Sequence, residues 1–267
     1  MSANGQYSDG VIAGMQMLYG HGFLSPGGPS EVDQLLSGID PAGMRVLDMG
    51  CGLGGCAVKL VHEYGVDHVT GIDIEYDLVS RATAAVDAAG LQARIDIRQV
   101  EPGRLPIDEH SFDLVITKDV VCHIADKTAV FAEIFRVLKP GGSYLCADFF
   151  DASHETGPGH EAHTFYHSYV GGMKAYGLSF HFEAKSSYEN ALVAAGLDLH
   201  QIRDHTEISA EVAAREHAFL NSGESGAVND ALGEERFHAR VNATAMRLKA
   251  LQTRGLQHGH LHAGRPA

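Results

Sequence analysis

The sequence is poor in basic residues: 20 lysines and arginines stand against 34 acids, and the formal net charge is −14. A duplex nucleic acid needs a basic surface to neutralise its phosphates. An anionic membrane surface also attracts basic segments. We therefore expect no nucleic acid and no membrane as partner, which leaves a small molecule. Simple solubility is the alternative explanation of the charge.

Long apolar runs are missing as well, and so is an apolar segment near the first residue. Without a run of about 20 apolar residues we expect no membrane-spanning helix. Four cysteines are present, at positions 51, 56, 122 and 146, and none forms a C-x-x-C pair. This usage is typical of buried free thiols in a reducing compartment. We expect a cytoplasmic protein, and the sequence leaves monomer and homodimer open.

Glycine, in contrast, is abundant, with 31 residues. Apolar segments alternate with helical ones up to residue 150, in the order MRVLDM, HVTGIDI, ARIDIRQ, SFDLVITKD and SYLCADFF. This alternation predicts a doubly wound α/β sheet. The alternation ends at residue 151, and the long segment from there to residue 184 predicts an inserted lid. A helix, a strand, two helical stretches (about 210–220 and 230–253) and a last strand, LQHGHLHAG, complete the prediction.

The segment VLDMGCGLGG has Asp48 at the end of the first strand and Gly50 and Gly52 in the turn that follows. Glycines let the backbone approach a ligand closely, and a helix N-terminus offers free amides. Asp73 ends the second strand, 23 residues after Gly50, where its carboxylate can accept from both hydroxyls of a ribose. Gly55 completes a G-x-G-x-x-G spacing, so a dinucleotide-binding protein is the alternative.

The pattern D-x-G-x-G, followed by GID, LPIDEHSFDLV and LKPGG, resembles class I S-adenosylmethionine (SAM)-dependent methyltransferases. The resemblance implies a Rossmann-like seven-stranded sheet, with SAM as cofactor and S-adenosylhomocysteine as product. It also implies that Asp48 organises the site around the methionine moiety and that Asp73 binds the ribose. Ile74 and Glu101 would lie along the rest of the cofactor, with Glu101 near the adenine; for Glu101, a plain surface acid is the alternative.

Three further stretches are QYSDGVIAGMQMLYGHGFLSPGG, KDVVCHIADK and ADF. Together they resemble the phosphoethanolamine N-methyltransferase group over residues 6–148. The resemblance implies that the N-terminal loop folds over SAM, that Ser25 and Lys118 contribute to the cofactor site, and that Tyr7 is a latch. Closure of such a loop excludes water. The chain then divides into a cap with the active-site loop (1–43), a SAM-binding core (44–150), the lid (151–184) and the C-terminal part of the fold (185–267).

By the same resemblance Asp119 and His123 form a catalytic dyad. Their i, i+4 spacing is that of two side chains on one face of a helical turn. Asp119 would then fix the tautomer of His123, and His123 would take a proton from a substrate amine.

The chain also departs from the group. Met15 stands where the group has a tyrosine, and Lys174 is the only Lys or Arg between residues 151 and 184. A phosphate in a closed pocket needs several strong donors, of which Arg247 could be one. We therefore expect the reaction class of the group with a substrate other than phosphoethanolamine.

Aromatic residues are concentrated in and beside the lid, and aromatic faces suit a substrate that becomes cationic on methylation. Packing of the lid onto the sheet is the alternative. The candidate substrate-binding residues are Tyr7, Met15, Tyr19, Tyr166, Tyr169, Tyr176, Tyr188 and Arg247.

His258, His260 and His262 alternate along the last predicted strand and so share one face, as metal ligands can. This spacing is automatic on a strand, and no carboxylate or cysteine joins the run. We therefore expect no metal.

The sequence thus predicts a SAM-dependent methyltransferase that acts on a nitrogen of a small polar molecule. S-methylation of a thioether such as methionine is one alternative, and C-methylation of a small alkene is another. A SAM-binding module without catalysis is the non-enzyme alternative.

Overall fold

A seven-stranded sheet forms the centre of the protein, described for residues 7–175 and 178–267 in a computed structural model. The strand order is β3-β2-β1-β4-β5-β7-β6, with β7 antiparallel to both of its neighbours. The strands are β1 (Arg45–Met49), β2 (His68–Asp73), β3 (Ile95–Gln99), β4 (Phe112–Lys118), β5 (Leu138–Asp151), β6 (Asp198–Asp204) and β7 (Leu256–Gly264). The predicted fold class is confirmed.

Ten α-helices surround the sheet in the described part of the chain. They are α1 (Asp9–Tyr19), α2 (Gly28–Leu35), α3 (Gly55–Tyr64), α4 (Tyr76–Ala88), α5 (Lys127–Val137), α6 (Glu161–Ala175), α7 (Lys185–Ala194), α8 (Thr206–Leu220), α9 (Gly226–Leu232) and α10 (Glu234–Gln252). The prediction of a single helix over about 230–253 is wrong. This stretch is divided between α9 and α10 at Gly233, which has a φ of 78°.

Alternate residues of the central strands face two separate hydrophobic cores. Leu47 of β1 packs in one core with Phe131 of α5. Its neighbour Val46 packs in the other with Leu35 of α2 and Leu60 of α3. Because successive side chains of a strand point to opposite faces, the sheet is covered on both sides. This explains why its parallel strands read as continuous apolar runs.

The helix after β1 and the helix after β4 cover opposite faces of the sheet, although the two strands are neighbours. The loops at the carboxyl ends of β1 and β4 therefore diverge and leave a crevice, the usual ligand position in such sheets. The predicted site residues Asp48, Gly50, Lys118 and Asp119 all belong to this edge.

Candidate active site

The glycine turn (residues 50–54) follows β1 directly, and Gly50, Gly52 and Gly54 have φ values of 78°, 53° and 81°. These left-handed conformations cost a residue with a Cβ, so glycine is favoured at each position. Beneath the turn, Asp48 is only 3% exposed and its Oδ2 has no hydrogen-bond partner. Burial, helped by the charge of Asp73, raises the pKa of Asp48 to about 7.

The carboxylate of Asp73 holds the glycine turn against β2. It accepts hydrogen bonds from the backbone N–H of Gly52 at 2.9 Å and of Glu75 at 3.0 Å. Burial nevertheless raises its pKa. Next to it Ile74 is 53% exposed, and Glu101 after β3 is exposed as well. The surface beside Asp73 therefore offers an apolar side chain to a flat ligand.

The N-terminal loop (residues 20–27) lies on the glycine turn. The carbonyl of Gly22 accepts from the N–H of Gly55 at 3.2 Å. A Cβ built on Gly52 would meet only Leu24, at 3.8 Å, so open space separates loop and turn at this point. Tyr7 and Leu24 both pack against a small apolar cluster of Ile12, Leu53 and Leu78.

Lys118, the last residue of β4, ties the loop to the sheet. Its ammonium donates to Ser25 Oγ at 2.6 Å, to the carbonyl of Pro26 at 2.9 Å and to Asp119 Oδ2 at 2.7 Å. Ser25 and Lys118, both predicted at the cofactor site, thus contact each other.

These residues fit SAM, which carries a sulfonium and an ammonium. Asp48 is buried and Asp73 is half-buried; the charge of Asp73 adds to the cost of ionising Asp48, one oxygen of which has no hydrogen-bond partner among the described residues. A cation placed near them relieves that cost. The open space above Gly52 and the exposed Ile74 suit the remainder of such a ligand.

Asp119 follows β4 in a left-handed conformation, with a φ of 56°. Such a backbone costs a non-glycine residue about 1–3 kcal/mol, and strain of this kind clusters at functional sites. Its Oδ1 is buried and has no hydrogen-bond partner among the residues that the structure describes. Asp119 also lines a small cavity, about 10 Å³ in volume, with Glu31, Phe149, Arg247 and His258.

His123 ends a short 3-10 turn, Val121–His123, and its Nδ1 lies 2.9 Å from the carbonyl of Ser179. Its ring stacks on Phe180 with centroids 4.7 Å apart. Within the described residues no hydrogen bond joins His123 to Asp119, so the expected helical-turn pairing is wrong. The left-handed backbone at Asp119 breaks the i, i+4 geometry on which that expectation depended. The carbonyl of Ser179 takes the orienting place expected for Asp119.

A cluster of charged side chains is centred on Glu216 of α8 and reaches the cavity through Arg247. The Glu216 carboxylate accepts from the hydroxyls of Tyr19 at 3.1 Å and Thr244 at 3.0 Å, from Arg240 at 2.6 Å and from Arg247. Burial and the charge of Arg247 lower the pKa of Arg240 to about 9. The two guanidinium groups therefore share one carboxylate.

The remaining predicted substrate-binding residues divide into different environments. Tyr169 is 6% exposed, and the charges of Arg247 and Asp119 both act on its hydroxyl. Tyr166 lies beside Asp151, and burial raises its pKa. Tyr176 lies outside the described residues.

Three of these residues have contacts elsewhere. The Tyr19 hydroxyl is used by Glu216. Met15 packs against the core on the α2–α3 side of the sheet. Tyr188 is fully buried, and its ring lies edge-on to Phe150 with centroids 4.9 Å apart. The geometry supports a packing role for Met15 and Tyr188 rather than the predicted substrate contact.

Sequence reasoning missed Asp148 and Glu216. Asp148 of β5 is fully buried and accepts from the N–H of Cys122 and of Phe149, both at 2.8 Å. Burial and the charge of Asp119 raise its pKa to about 7. An acid in the apolar run SYLCADFF was a usable signal for Asp148. Nothing local marks Glu216 on an amphipathic helix.

Comparison with known proteins gives the class of the domain. Residues 47–146 match the family described as a methyltransferase domain. Phosphoethanolamine N-methyltransferase 1 of Triticum aestivum is 34% identical over 147 residues, which are 55% of this chain and 29% of that protein. The chain thus spans less than a third of the length of that relative.

Solved structures share the whole fold. Phosphoethanolamine N-methyltransferase 2 of Haemonchus contortus, solved with phosphomonomethylethanolamine and S-adenosylhomocysteine, superposes with a TM-score of 0.84 at 23% identity, over 98% of this chain and 59% of that one. Geranyl diphosphate C-methyltransferase of Streptomyces coelicolor A3(2) gives 0.70 at 17% identity, over 88% of this chain and 78% of that one.

The fold, the glycine turn and the matched family define a class I SAM-dependent methyltransferase domain. Within that class the domain is related to the phosphoethanolamine N-methyltransferases. In the described ranges no helix is both long and apolar enough to cross a bilayer.

Proposed function

We propose that the chain transfers a methyl group from SAM to the nitrogen of a small amine that also carries an anionic group, and that this amine is not phosphoethanolamine. The observation that carries the proposal is the carboxylate of Asp119. It is held at the cavity by a strained backbone, and one of its oxygens is buried without a partner. The N–H of a neutral amine is one donor that such an oxygen can accept from, and the amine keeps the lone pair that methyl transfer requires.

The anionic part of the acceptor is inferred from the charges around Arg247. Two guanidinium groups, that of the buried Arg247 and that of the half-buried Arg240, pair with the single carboxylate of Glu216. The cluster therefore keeps one positive charge, and Arg247 lines the cavity. A carboxylate or a phosphate of the acceptor would offset that charge. The lid adds little, since Lys174 is its only Lys or Arg, which argues against a phosphobase.

The base is His123. Because the carbonyl of Ser179 can only accept, the bond at 2.9 Å assigns the proton of the neutral ring to Nδ1. The lone pair of Nε2 is then available. Stacking on Phe180 at 4.7 Å restrains the ring, and Phe180 in turn stacks on Phe182 at 4.5 Å. These faces also suit a product that gains positive charge.

SAM supplies a methyl carbon that its sulfonium makes electrophilic. Asp119 would orient the neutral acceptor nitrogen, whose lone pair would form the bond to the methyl carbon while the bond from carbon to sulfur breaks and S-adenosylhomocysteine leaves. The nitrogen then loses a proton, and His123 Nε2 receives it. The N-terminal loop, fixed by Lys118 to Ser25, excludes water from the site. Alignment supplies much of the rate, as in other in-line displacements.

The experiment is a panel assay with methyl-labelled SAM, in which amino acids, aminoalkyl phosphates and thioethers are offered separately and products are read by mass spectrometry. We expect label on the nitrogen of an amine that bears a carboxylate or another anionic group. Label on sulfur or on an alkene carbon would refute the nitrogen acceptor. SAM binding without any transfer would indicate a binding module.

The matched variant is Asp119→Asn, because asparagine tolerates a φ of 56° better than alanine does. We expect turnover to fall about 100-fold or more with SAM affinity changed less than about twofold. Asp198→Asn, on the exposed start of β6, is the control and should leave both unchanged. His123→Ala is expected to lower turnover similarly; unchanged turnover would favour thioether sulfur, which has no proton to lose.

A further inference from the structure

Two histidines of β7 and a glutamate of α2 meet beside the cavity. One ligand atom from each of Glu31, His258 and His260 lies within 4.8 Å of the other two. The three residues are only 5%, 4% and 2% exposed. Charged groups are rarely buried without a partner, so a buried carboxylate that lies between two imidazoles is unusual.

The fold brings these three residues together. His258 and His260 alternate along β7, so both point to the same face of the sheet. Glu31 lies in the first turn of α2, which covers that face, and its Oε1 hydrogen-bonds to His260 Nε2 and lies 3.7 Å from His258 Nε2. The expectation of no metal depended on the absence of a carboxylate from the histidine run. The fold supplies that carboxylate from 229 residues away.

Two neighbours orient the rings. His258 Nδ1 lies 2.7 Å from Ser209 Oγ, which leaves Nε2 directed towards Glu31. The His260 ring stacks on His205 with centroids 3.7 Å apart. The second nitrogen of His258 is thus fixed as is common for metal-binding histidines, whereas the Nδ1 of His260 is buried without a hydrogen-bond partner among the described residues.

We propose that Glu31, His258 and His260 bind a divalent transition-metal ion whose open coordination positions face the cavity. Two imidazole nitrogens and one carboxylate oxygen form a donor set used for zinc and for other divalent transition ions. Glu31 and His258 line the cavity together with Asp119 and Arg247. The ion would therefore hold an oxygen or nitrogen of a small molecule bound there.

The test uses the full chain, stripped with a chelator and titrated with Co²⁺ in the absence of SAM and acceptor. Calorimetry and the visible absorption of Co²⁺ are expected to report one ion, with a Kd of about 1 µM or tighter. Glu31→Gln and His260→Gln should each weaken binding tenfold or more. Since neither SAM nor acceptor is present, the result is independent of the proposed function.

The chain has 17 histidines, so adventitious sites must be separated. His262→Gln removes the next histidine of the same strand face, and a His163→Gln/His167→Gln pair removes two histidines of α6 whose rings are 4.2 Å apart. Both controls should keep the wild-type Kd. Loss of binding in the α6 pair, or no ion at all, overturns the proposal.

X-ray absorption of the Co²⁺-loaded wild type keeps the proposal testable should a variant fail to fold. We expect the spectrum to show two imidazole ligands and at least one oxygen ligand. A spectrum with oxygen ligands alone, or with a single imidazole, would mean that Glu31 and His260 form only a buried hydrogen bond.

Discussion

Replacement of Glu216 by glutamine should destabilise the protein strongly. The carboxylate is 5% exposed and is the shared partner of Arg240 and Arg247. Glutamine is nearly isosteric, so the variant leaves the packing of α8 against α10 intact. It removes the negative charge and leaves two guanidinium groups buried together, with Tyr19 and Thr244 still able to donate to the amide oxygen.

The size of the effect follows from the burial of the pair. Removal of one partner from a buried ion pair costs about 3–5 kcal/mol, because the other charge remains without compensation. Burial and Arg247 already lower the pKa of Arg240 to about 9 while Glu216 is present. For a chain of this size the loss corresponds to a decrease in Tm of about 6–20 °C.

Differential scanning calorimetry measures this decrease, with Glu211→Gln as control. Glu211 lies on the same helix, and its exposed pair with Arg215 is 3.9 Å long, so the control should stay within about 0.5 kcal/mol of wild type. Adding Arg240→Gln to Glu216→Gln should recover about 1 kcal/mol or more, since the two sites are coupled. A Tm decrease no larger than that of Glu211→Gln would refute the buried-charge reasoning.

Three further predictions concern the cofactor site and its acids. Gly52→Ala and Gly43→Ala should each cost about 1–2 kcal/mol of stability, because both backbones are left-handed (φ 53° and 73°) with space for a methyl group, but only Gly52→Ala should lose SAM binding in calorimetry. Ser25→Ala should weaken SAM binding about fivefold through loss of the bond from the Lys118 ammonium, with the exposed Ser37→Ala unchanged. Asp148 keeps its proton up to about pH 7 in the folded state but loses it near pH 4 when unfolded, so wild-type stability falls with rising pH in this window. Urea unfolding should therefore show Asp148→Asn gaining about 2 kcal/mol on wild type between pH 5 and pH 8, and a constant difference would contradict the buried acid.

The strands and the glycine turn were predictable because their signals are local. A parallel strand covered on both faces must be apolar throughout, as in β4, and the turn after β1 needs left-handed residues, as at Gly50 and Gly52. The acids at the carboxyl ends of β1 and β2 then meet at one edge of the sheet by topology alone. This part of the site needs no long-range information.

The prediction that Asp119 pairs with His123 failed because the local backbone is not helical. The i, i+4 rule assumes helical backbone throughout, whereas Asp119 has a φ of 56° and the residues after it form a 3-10 turn. A non-glycine residue with positive φ is uncommon, so no sequence pattern announces it. The partner found instead, the carbonyl of Ser179, has no side-chain signature at all.

The charges at the cavity are the least predictable part of the molecule. Tyr19 and Glu216 are 197 residues apart, and Glu31 and His260 are 229 residues apart. Each of these residues is unremarkable on its own helix or strand, and only the packing of α1, α2, α8 and β7 makes them neighbours. The net charge of −14 sums all the charged residues and does not show which of them lie at the cavity. Binding in the cavity depends on charges that water does not reach, because only there is a single carboxylate or guanidinium unscreened. A strongly acidic chain can therefore hold a buried positive cluster at Arg247, and the anionic group that we propose for the acceptor is inferred from that cluster rather than from the composition.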